Sequence, residues 1–162
     1  MTQSLNILIA DDHQLFRQGL EKLIKRRPFT NYIYHAANGR EAIDMVNTHK
    51  IDLIFMDVRM PVVDGIEATR VIVKSNAAIK IIGLTMLEDK ESVVRMFKAG
   101  ARGYLLKNTD LQEIEEAVKD ICEGKRYYSK ELNDILLEQG ISPKQWIRTS
   151  SLKVELSERE IE

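Results

Sequence analysis

One carboxylate directly follows a short, wholly apolar run in the middle of the chain. The run covers residues 53–56 with the sequence LIFM, and Asp57 comes next. Four consecutive apolar residues indicate a strand that is buried on both faces, and open parallel sheets bind their ligands at the carboxyl ends of the strands. Asp57 is therefore a candidate nucleophile, metal ligand or helix cap.

Other polar groups end apolar runs in the same way. Asp11 and Asp12 follow the first run, Thr85 follows the fourth and Lys107 follows the fifth. Three carboxylates in one crevice repel each other, so their ionised state requires a cation. Oxygen ligands without a Cys or His cluster favour Mg²⁺, with Mn²⁺ as the alternative. A metal, the Lys107 ammonium and the Thr85 hydroxyl together suit a tetrahedral dianion, with Asp57 as the nucleophile that forms an acyl phosphate.

The elements that would position these groups alternate along the chain. Each apolar run is followed by a segment with apolar residues three and four positions apart, which predicts a helix. The predicted strands cover residues 5–10, 32–36, 52–56, 80–84 and 103–106. Five strands in alternation with five helices indicate an α/β fold with a doubly wound parallel sheet in the order 2-1-3-4-5. Its switch point lies between strands 1 and 3, where the three acids would converge.

The composition is that of an ordinary soluble globular protein. The 162 residues are 44% hydrophobic and 30% charged with a net charge of −1, so the overall charge does not favour nucleic acid or a membrane. The single cysteine, Cys122, forms no internal disulfide, and no apolar run approaches the roughly 20 residues that span a bilayer. The N-terminus lacks the features of a signal peptide. We therefore expect a cytoplasmic protein without a membrane partner.

The motifs at the strand ends together resemble the receiver domain of bacterial two-component response regulators. They are Asp11-Asp12, the stretch MDVRMPVVDG at residues 56–65, Leu84-Thr85 and Lys107, in this order. Each motif alone is weak, but one motif at each strand end is a specific combination. The resemblance covers residues 5 to about 124. It implies a flavodoxin-like, CheY-like fold and a role in phosphorelay signal transduction.

The resemblance also implies a role for each of these residues. Asp57 would be the phosphoacceptor, which takes a phosphoryl group from a sensor histidine kinase, and Lys107 would pair with that group. Asp12 and Asp57 would hold Mg²⁺, with Asp11 acting largely through water and the Arg59 backbone carbonyl as a further ligand. Such a chain is not a general enzyme, because it catalyses only its own phosphoryl transfer and dephosphorylation.

A hydroxyl and an aromatic residue resemble the switch pair of these receivers. The resemblance implies that Thr85 moves its hydroxyl to a phosphoryl oxygen and that Tyr104 then turns its ring inward. The face of helix 4, strand 5 and helix 5 would change its partner preference, which is a local charge event that biases a two-state element. Phosphorylation would thereby control dimerisation and transcription, with a homodimer as the expected assembly.

Two positions depart from the pattern of many receivers. Asn108 follows Lys107 where proline is common, and a cis peptide before a residue other than proline costs about 3–4 kcal/mol, which argues against a cis bond here. Met86 follows Thr85 where a small residue is common. We therefore expect Met86 to narrow access to Asp57 and to slow phosphorylation and dephosphorylation.

The C-terminal part of the chain differs in character from the receiver. GKRYYS at residues 124–129 resembles the start of the linker in NarL/FixJ-type regulators, and LSEREI at residues 156–161 resembles the opening of their LuxR-type helix-turn-helix domain. We expect a receiver domain at residues 1–124, a helical linker at residues 125–154, and the start of a truncated DNA-binding domain at residues 155–162. DNA binding would belong to the parent protein through the missing domain and not to this chain alone.

The linker contains apolar side chains without an assigned partner. Ser129 is a candidate cap for a short helix that carries Leu132, Ile135 and Leu136, and Trp146 lies further along. These side chains would pack on the receiver, on the missing domain or on a second copy of the chain, and the sequence leaves the three alternatives open.

Other interpretations compete with the receiver. Asp11 and Asp12 alone would cap helix 1, and His13 fits a surface or cap residue better than a catalytic base. A haloacid-dehalogenase-like phosphohydrolase also uses an aspartyl phosphate, but its nucleophile follows strand 1 in an Asp-x-Asp pattern, whereas Asp57 follows strand 3. A receiver-like interaction module that is never phosphorylated is the third alternative, and the complete set of acids, hydroxyl and lysine argues against it. His35 belongs to no evident ligand set.

Overall fold

The computed structural model of the chain describes residues 4–86, 90–138 and 140. Its strands are β1 (Leu5–Ala10), β2 (Thr30–Ala36), β3 (Leu53–Asp57), β4 (Lys80–Thr85), β5 (Gly103–Leu106) and β6 (Tyr127–Tyr128). Its helices are α1 (Gln14–Ile24), α2 (Gly39–Thr48), α3 (Gly65–Ser75), α4 (Lys90–Ala99), α5 (Leu111–Cys122) and α6 (Lys130–Glu138). None of the helices within these ranges combines the length and the apolar character that a membrane crossing requires.

The described strands form one sheet in the order β2-β1-β3-β4-β5-β6. Every neighbouring pair is parallel, as expected when helices connect successive strands. The predicted α/β class and the order of the first five strands are confirmed. The switch point lies between β1 and β3, which pair with each other while β2 lies on the outer side of β1. The acids at the ends of β1 and β3 are therefore neighbours.

Two apolar cores cover the two faces of the sheet. On β3, Ile54 and Met56 point into one core, and Leu53 and Phe55 point into the other. Helices α2, α3, α4 and α6 pack on the first face, and α1 and α5 pack on the second. All four side chains have an exposed fraction of 1% or less, so the apolar run before Asp57 is buried on both faces as predicted.

The stretch after residue 124 continues the receiver fold in the described residues. Tyr127 and Tyr128 pair in parallel with Gly103 and Tyr104 and add β6 to the sheet. The apolar side chains of α6 enter the core that contains α4 and Tyr104. Of the three packing alternatives for the α6 side chains, the structure shows packing on the receiver of this chain.

The predicted cap of α6 is wrong in its detail. The Ser129 hydroxyl is buried without a hydrogen-bond partner, and the Ser129 carbonyl accepts from the amides of Leu132 and Asn133 instead. Trp146, the rest of the predicted linker and the predicted start of a DNA-binding domain lie outside the described residues. The two predicted domain boundaries, after residues 124 and 154, remain predictions.

Candidate functional site

The four central strands bring the predicted side chains to one edge of the sheet. Asp11 directly follows β1, Asp57 ends β3, Thr85 ends β4 and Lys107 directly follows β5. These strands are consecutive neighbours in the sheet, so their carboxyl ends form one crevice. The structure thus brings together the acids, the hydroxyl and the ammonium group that the sequence singled out.

An acidic cluster lies at the β1 and β3 end of this crevice. Asp11 is completely buried, Asp57 is buried and Asp12 is exposed. One oxygen of each carboxylate and one ring nitrogen of His13 lie within 4.8 Å of one another. Neither aspartate that precedes α1 is its N-cap residue, because that position belongs to His13, whose side chain makes no capping hydrogen bond. The capping interpretation of Asp11 and Asp12 is therefore wrong.

His13 is closer to the acids than its sequence context suggested. Its backbone N–H donates to Asp11 Oδ1 over 2.8 Å, and its Nδ1 lies 3.1 Å from the same oxygen and 3.3 Å from Asp12 Oδ1. The prediction of a cap position holds for His13, since it is the N-cap residue of α1. Its ring also lies at the mouth of the cluster, where it could contribute to a metal site.

Lys107 connects the acids to the other side of the crevice. Its Nζ lies 2.7 Å from Asp11 Oδ2 and 3.5 Å from Asp57 Oδ1, and 4.8 Å from the centre of the Phe16 ring. Burial alone would lower the pKa of Lys107, but its hydrogen bonds to the two carboxylates and their negative charge together raise that pKa above the ordinary value. Lys107 therefore stays protonated and positively charged beside Asp57.

The pKa of Asp57 is raised from 3.8 to about 6. Burial is the main cause and the charge of Asp11 the second, while Lys107 acts in the opposite direction. One ammonium group thus does not compensate for the neighbouring carboxylates. A divalent cation among these oxygens would favour the ionised form of Asp57. The donor set, which consists of carboxylate oxygens in an otherwise poorly compensated cluster, fits Mg²⁺ or Mn²⁺.

Next to Asp57, the crevice opens into a cavity of about 330 Å³. Residues from several strand ends and loops line it, namely His13, Asp57, Val58, Arg59, Thr85, Met86 and Lys107. The Thr85 hydroxyl donates to the Met86 carbonyl over 3.2 Å. The Met86 side chain is 57% exposed, so it borders the entrance without closing it. Arg59 is thus beside the cluster, as a carbonyl ligand would need to be.

The structure places the second residue of the predicted switch pair inside the protein. Tyr104 has no exposed surface, and its ring lies so close to Gly83 that a methyl group on Gly83 would be 3.4 Å from two ring atoms. Gly83 and Thr85 are two positions apart on β4 and share a face of the sheet. The inward position of Tyr104, which we associated with phosphorylation, is therefore already occupied here. The peptide bond between Lys107 and Asn108 is trans, in agreement with the expectation.

The loop between β3 and α3 holds the backbone of Asp57 tightly. The Gly65 amide donates to the Val58 carbonyl over 2.8 Å, and a methyl group on Gly65 would collide with the Asp57 carbonyl oxygen. Val62 in the same loop has φ = 70°, which is the left-handed region that β-branched residues rarely adopt. Asp64 caps α3 by accepting from the Glu67 amide over 2.9 Å. The loop therefore combines a tight approach with local backbone strain.

A polar network behind the site was missed by the sequence analysis. Arg17 donates through Nη1 to the Asp11 carbonyl and through Nε to His35 Nδ1 over 3.1 Å, and His35 Nε2 lies 2.6 Å from Glu21 Oε1. His35 thus supports the chain at Asp11 through one intermediate side chain. No sequence signal indicated this network, because its members come from a helix and a strand that are only adjacent after folding.

Comparisons with known proteins agree with the geometry. The family model of the response regulator receiver domain matches residues 7–119. The chain is 34% identical over 135 residues to the transcriptional regulatory protein DegU of Brevibacillus brevis, which covers 83% of this chain and 57% of DegU. It is 33% identical over 158 residues to the response regulator UvrY of Escherichia coli K12, which covers 98% of this chain and 71% of UvrY.

A solved structure is similar over most of the chain. The two-component response regulator of the LuxR family from Aurantimonas sp. SI85-9A1 superposes with a TM-score of 0.78 at 33% identity. The superposition covers 85% of this chain and 99% of the Aurantimonas chain. The likeness thus includes both the fold and a substantial part of the sequence.

Proposed function

Because the chain belongs to the response regulator receiver domain family, we propose that it accepts a phosphoryl group on Asp57 from a sensor histidine kinase. Receivers of this family act in phosphorylation-dependent two-component signalling and bind Mg²⁺ at an acidic pocket, and they are not enzymes in the usual sense. The observation that carries the proposal is the Asp57 carboxylate, which is buried at the end of β3 with Lys107 Nζ 3.5 Å away.

The proposed reaction is an in-line transfer to one carboxylate oxygen of Asp57. This oxygen bonds to phosphorus while the bond from phosphorus to the imidazole nitrogen of the donor breaks, and the imidazole takes up a proton. Lys107 would pair with the phosphoryl oxygens, and the Thr85 hydroxyl would turn from the Met86 carbonyl to donate to one of them. Water would later hydrolyse the acyl phosphate and restore the carboxylate.

Three carboxylates and one carbonyl would hold the metal ion in this proposal. They are the side chains of Asp11, Asp12 and Asp57 and the backbone carbonyl of Arg59, with Asp11 acting largely through water. When bound, Mg²⁺ supplies positive charge to the phosphoryl oxygens as negative charge builds on them. The acids of this chain position that charge next to the acceptor oxygen of Asp57.

We propose that the output of the signalling is transcription control. DegU is by name a transcriptional regulator, and the matched part of this chain spans 57% of its length. We propose that phosphorylation changes the face of α4, β5 and α5, which carries β6 and α6 in this structure, and that this composite surface governs homodimerisation and DNA binding through a C-terminal domain. A haloacid-dehalogenase-like activity is not supported, because the chain matches the receiver family and Asp57 follows β3 rather than β1.

Intact mass after incubation with acetyl phosphate and Mg²⁺ tests the acceptor. We expect one added phosphoryl group on the natural chain and none on Asp57→Asn. Asp44→Asn is the matched control, because Asp44 is an exposed acid on α2 away from the crevice. An unmodified natural chain, or an Asp57→Asn chain that still gains the group, would contradict the proposal. Met86→Ala should load and lose the group faster if Met86 narrows access to Asp57.

A further inference from the structure

The segment after α5 covers one end of the receiver on the side of α4. We call residues 125–138 the strap. Leu132, Ile135 and Leu136 of α6 are at most 4% exposed and lie in the core that also contains Val93 and Met96 of α4. Leu137 on the opposite side of α6 is 49% exposed. The strap is therefore docked by an ordinary amphipathic helix with one buried face.

The first connection from the strap to the site passes through the two tyrosines of neighbouring strands. Tyr128 pairs with Tyr104 in the sheet, the Ser129 amide donates to the Tyr104 carbonyl over 3.2 Å, and the two rings have centroids 6.5 Å apart. On its other side, the Tyr104 ring rests on Gly83, two residues before Thr85. The strap thus contacts both the backbone and the ring of Tyr104, which lies between the strap and β4.

The second connection passes over the other face of the sheet. The Tyr127 hydroxyl donates to Glu113 Oε2 over 3.0 Å, and the Thr109 hydroxyl donates to Glu113 Oε1. Thr109 lies two residues after Lys107, and its amide donates to the Leu106 carbonyl over 3.1 Å. Tyr127 and Tyr128 are successive residues of one strand, so their side chains point to opposite faces of the sheet. Tyr128 therefore contacts Tyr104, which lies against the Thr85 strand. Tyr127 contacts Glu113, which holds the loop after Lys107.

Further contacts anchor the beginning of the strap. Arg126 Nη1 donates to the Ala101 carbonyl over 2.7 Å, and the guanidinium lies 5.4 Å from the centre of the Phe97 ring. Burial raises the pKa of Tyr128 to about 12. Gly124 precedes these contacts with φ = 87°, the left-handed conformation that glycine adopts without strain and that turns the chain from α5 into the strap.

We propose that Tyr127 and Tyr128 are positioning residues for the phosphoryl site, and that docking of the strap and occupation of that site favour each other. A docked strap holds Tyr104 inward and holds the loop after Lys107 through Glu113. A phosphoryl group needs the same arrangement, since Thr85 and Lys107 contact it under the proposed function, on which this inference rests. Coupling between two sites is reciprocal, so a strap that strengthens anion binding must itself be strengthened by the anion.

Beryllofluoride with Mg²⁺ serves as the probe, because it imitates a phosphoryl group on a carboxylate without a covalent transfer. Fluorine NMR would measure its binding, and amide hydrogen exchange at Tyr127 and Ser129 would measure docking of the strap. These amides donate to the carbonyls of Arg102 and Tyr104. Amides of β2, at the opposite edge of the sheet, are the internal control, because general stabilisation by a ligand protects both edges.

Three variants separate positioning from simple stability. Tyr127→Phe keeps the ring and removes only the hydrogen bond to Glu113, so it should fold normally. Leu136→Ala weakens docking of α6, and Leu137→Ala removes a similar side chain from the exposed face of the same helix. We expect Tyr127→Phe and Leu136→Ala to raise the beryllofluoride concentration for half-saturation by about fivefold. Leu137→Ala should leave it unchanged.

The results distinguish this inference from the proposed function. Extra protection of Tyr127 and Ser129 relative to β2 on addition of beryllofluoride, together with weaker binding by Tyr127→Phe, supports the coupling. Equal binding by all variants with unchanged protection of the strap would overturn the coupling and leave the proposed function intact. Failure of the natural chain to bind beryllofluoride would overturn both.

Discussion

The phosphoryl-site crevice and the strap face, by which we mean the surface of the receiver that the strap covers, have opposite effects on the stability of the same sheet. The crevice collects carboxylates, where burial and the charge of Asp11 raise the pKa of Asp57, and its loop holds Val62 in a strained conformation. The strap face buries three aliphatic side chains, each worth roughly 1.5–3 kcal/mol. Buried charge and backbone strain in the crevice lower the stability of the free receiver, and the apolar face offsets this loss. Under the proposed function, binding of a cation and a phosphoryl group would compensate for the destabilised crevice.

The largest effect should come from a truncation on the strap face. Leu132 is completely buried in the core beneath α6. We expect Leu132→Ala to lower the free energy of unfolding by about 2–5 kcal/mol, because it leaves a cavity in a packed core. Leu137→Ala should change it by less than about 0.5 kcal/mol. Urea denaturation of both variants checks this, and equal losses would show that α6 is not docked as described.

A smaller loss should follow a change in the crevice. A methyl group on Gly65 would collide with the Asp57 carbonyl oxygen, so Gly65→Ala must displace the acceptor backbone. We expect a loss of about 2–3 kcal/mol and poor phosphoryl loading. Gly19→Ala is the matched control, since a methyl group there meets nothing within 4 Å and a helix prefers alanine. Calorimetry and mass measurement on both variants give the result, and normal loading of Gly65→Ala would contradict the geometry.

Removal of the Asp57 charge should raise the free energy of unfolding, whereas the two preceding substitutions lower it. Because the pKa of Asp57 is about 6 in the folded protein against an ordinary 3.8, the folded form retains a proton that the unfolded chain has released between these pH values. The free energy of unfolding therefore falls as the pH rises from about 4 to about 6. We expect Asp57→Asn to unfold with about 1–3 kcal/mol more free energy at pH 7 without metal.

Magnesium sharpens this test. The ion should stabilise the natural chain more than Asp57→Asn, because it compensates for a charge that the variant lacks. Thermal unfolding from pH 4 to pH 7, with Mg²⁺ and with a chelator, would measure both effects. A variant that is less stable than the natural chain at pH 7 in chelator would show that the charge of Asp57 is already compensated.

The smallest expected gain concerns the strained loop. Val62 is 79% exposed and has φ = 70°, so it contributes little packing and carries backbone strain. We expect Val62→Gly to stabilise the protein by about 0.5–1 kcal/mol, which is the relieved strain minus the larger backbone entropy that glycine loses on folding, while Val62→Ala retains part of the strain. Denaturation midpoints of the two variants would decide, and a glycine variant below the alanine variant would contradict the strain.

The sequence predicted the central part of the fold well, because both signals it offers are local. The run before Asp57 is apolar at every position, and the helices carry apolar residues at regular spacing. The motifs at the strand ends identified the residues of the crevice because parallel strands present their carboxyl ends together. The placement of Asp11, Asp57 and Lys107 in one cluster therefore needed only topology.

The rest depended on contacts between distant residues. Two tyrosines are too few to show a strand period, so β6 was missed and its segment was assigned to a linker. The sequence could not decide which of three partners α6 packs on, because an amphipathic helix does not identify the surface that covers its apolar face. Residue type and spacing gave no signal for the hydrogen bonds by which Arg17 and His35 support Asp11. They also gave none for the positive φ of Val62.

The shortest strand has a consequence for self-association. Two amides, from Tyr127 and Ser129, satisfy the Arg102 and Tyr104 carbonyls along the outer side of β5. Without them, β5 would present unpaired backbone groups at the edge of the sheet, and such edges recruit strands from other molecules. A strand of two residues thus covers the edge of the receiver sheet, and we expect a chain in which β6 is displaced to self-associate more readily through β5.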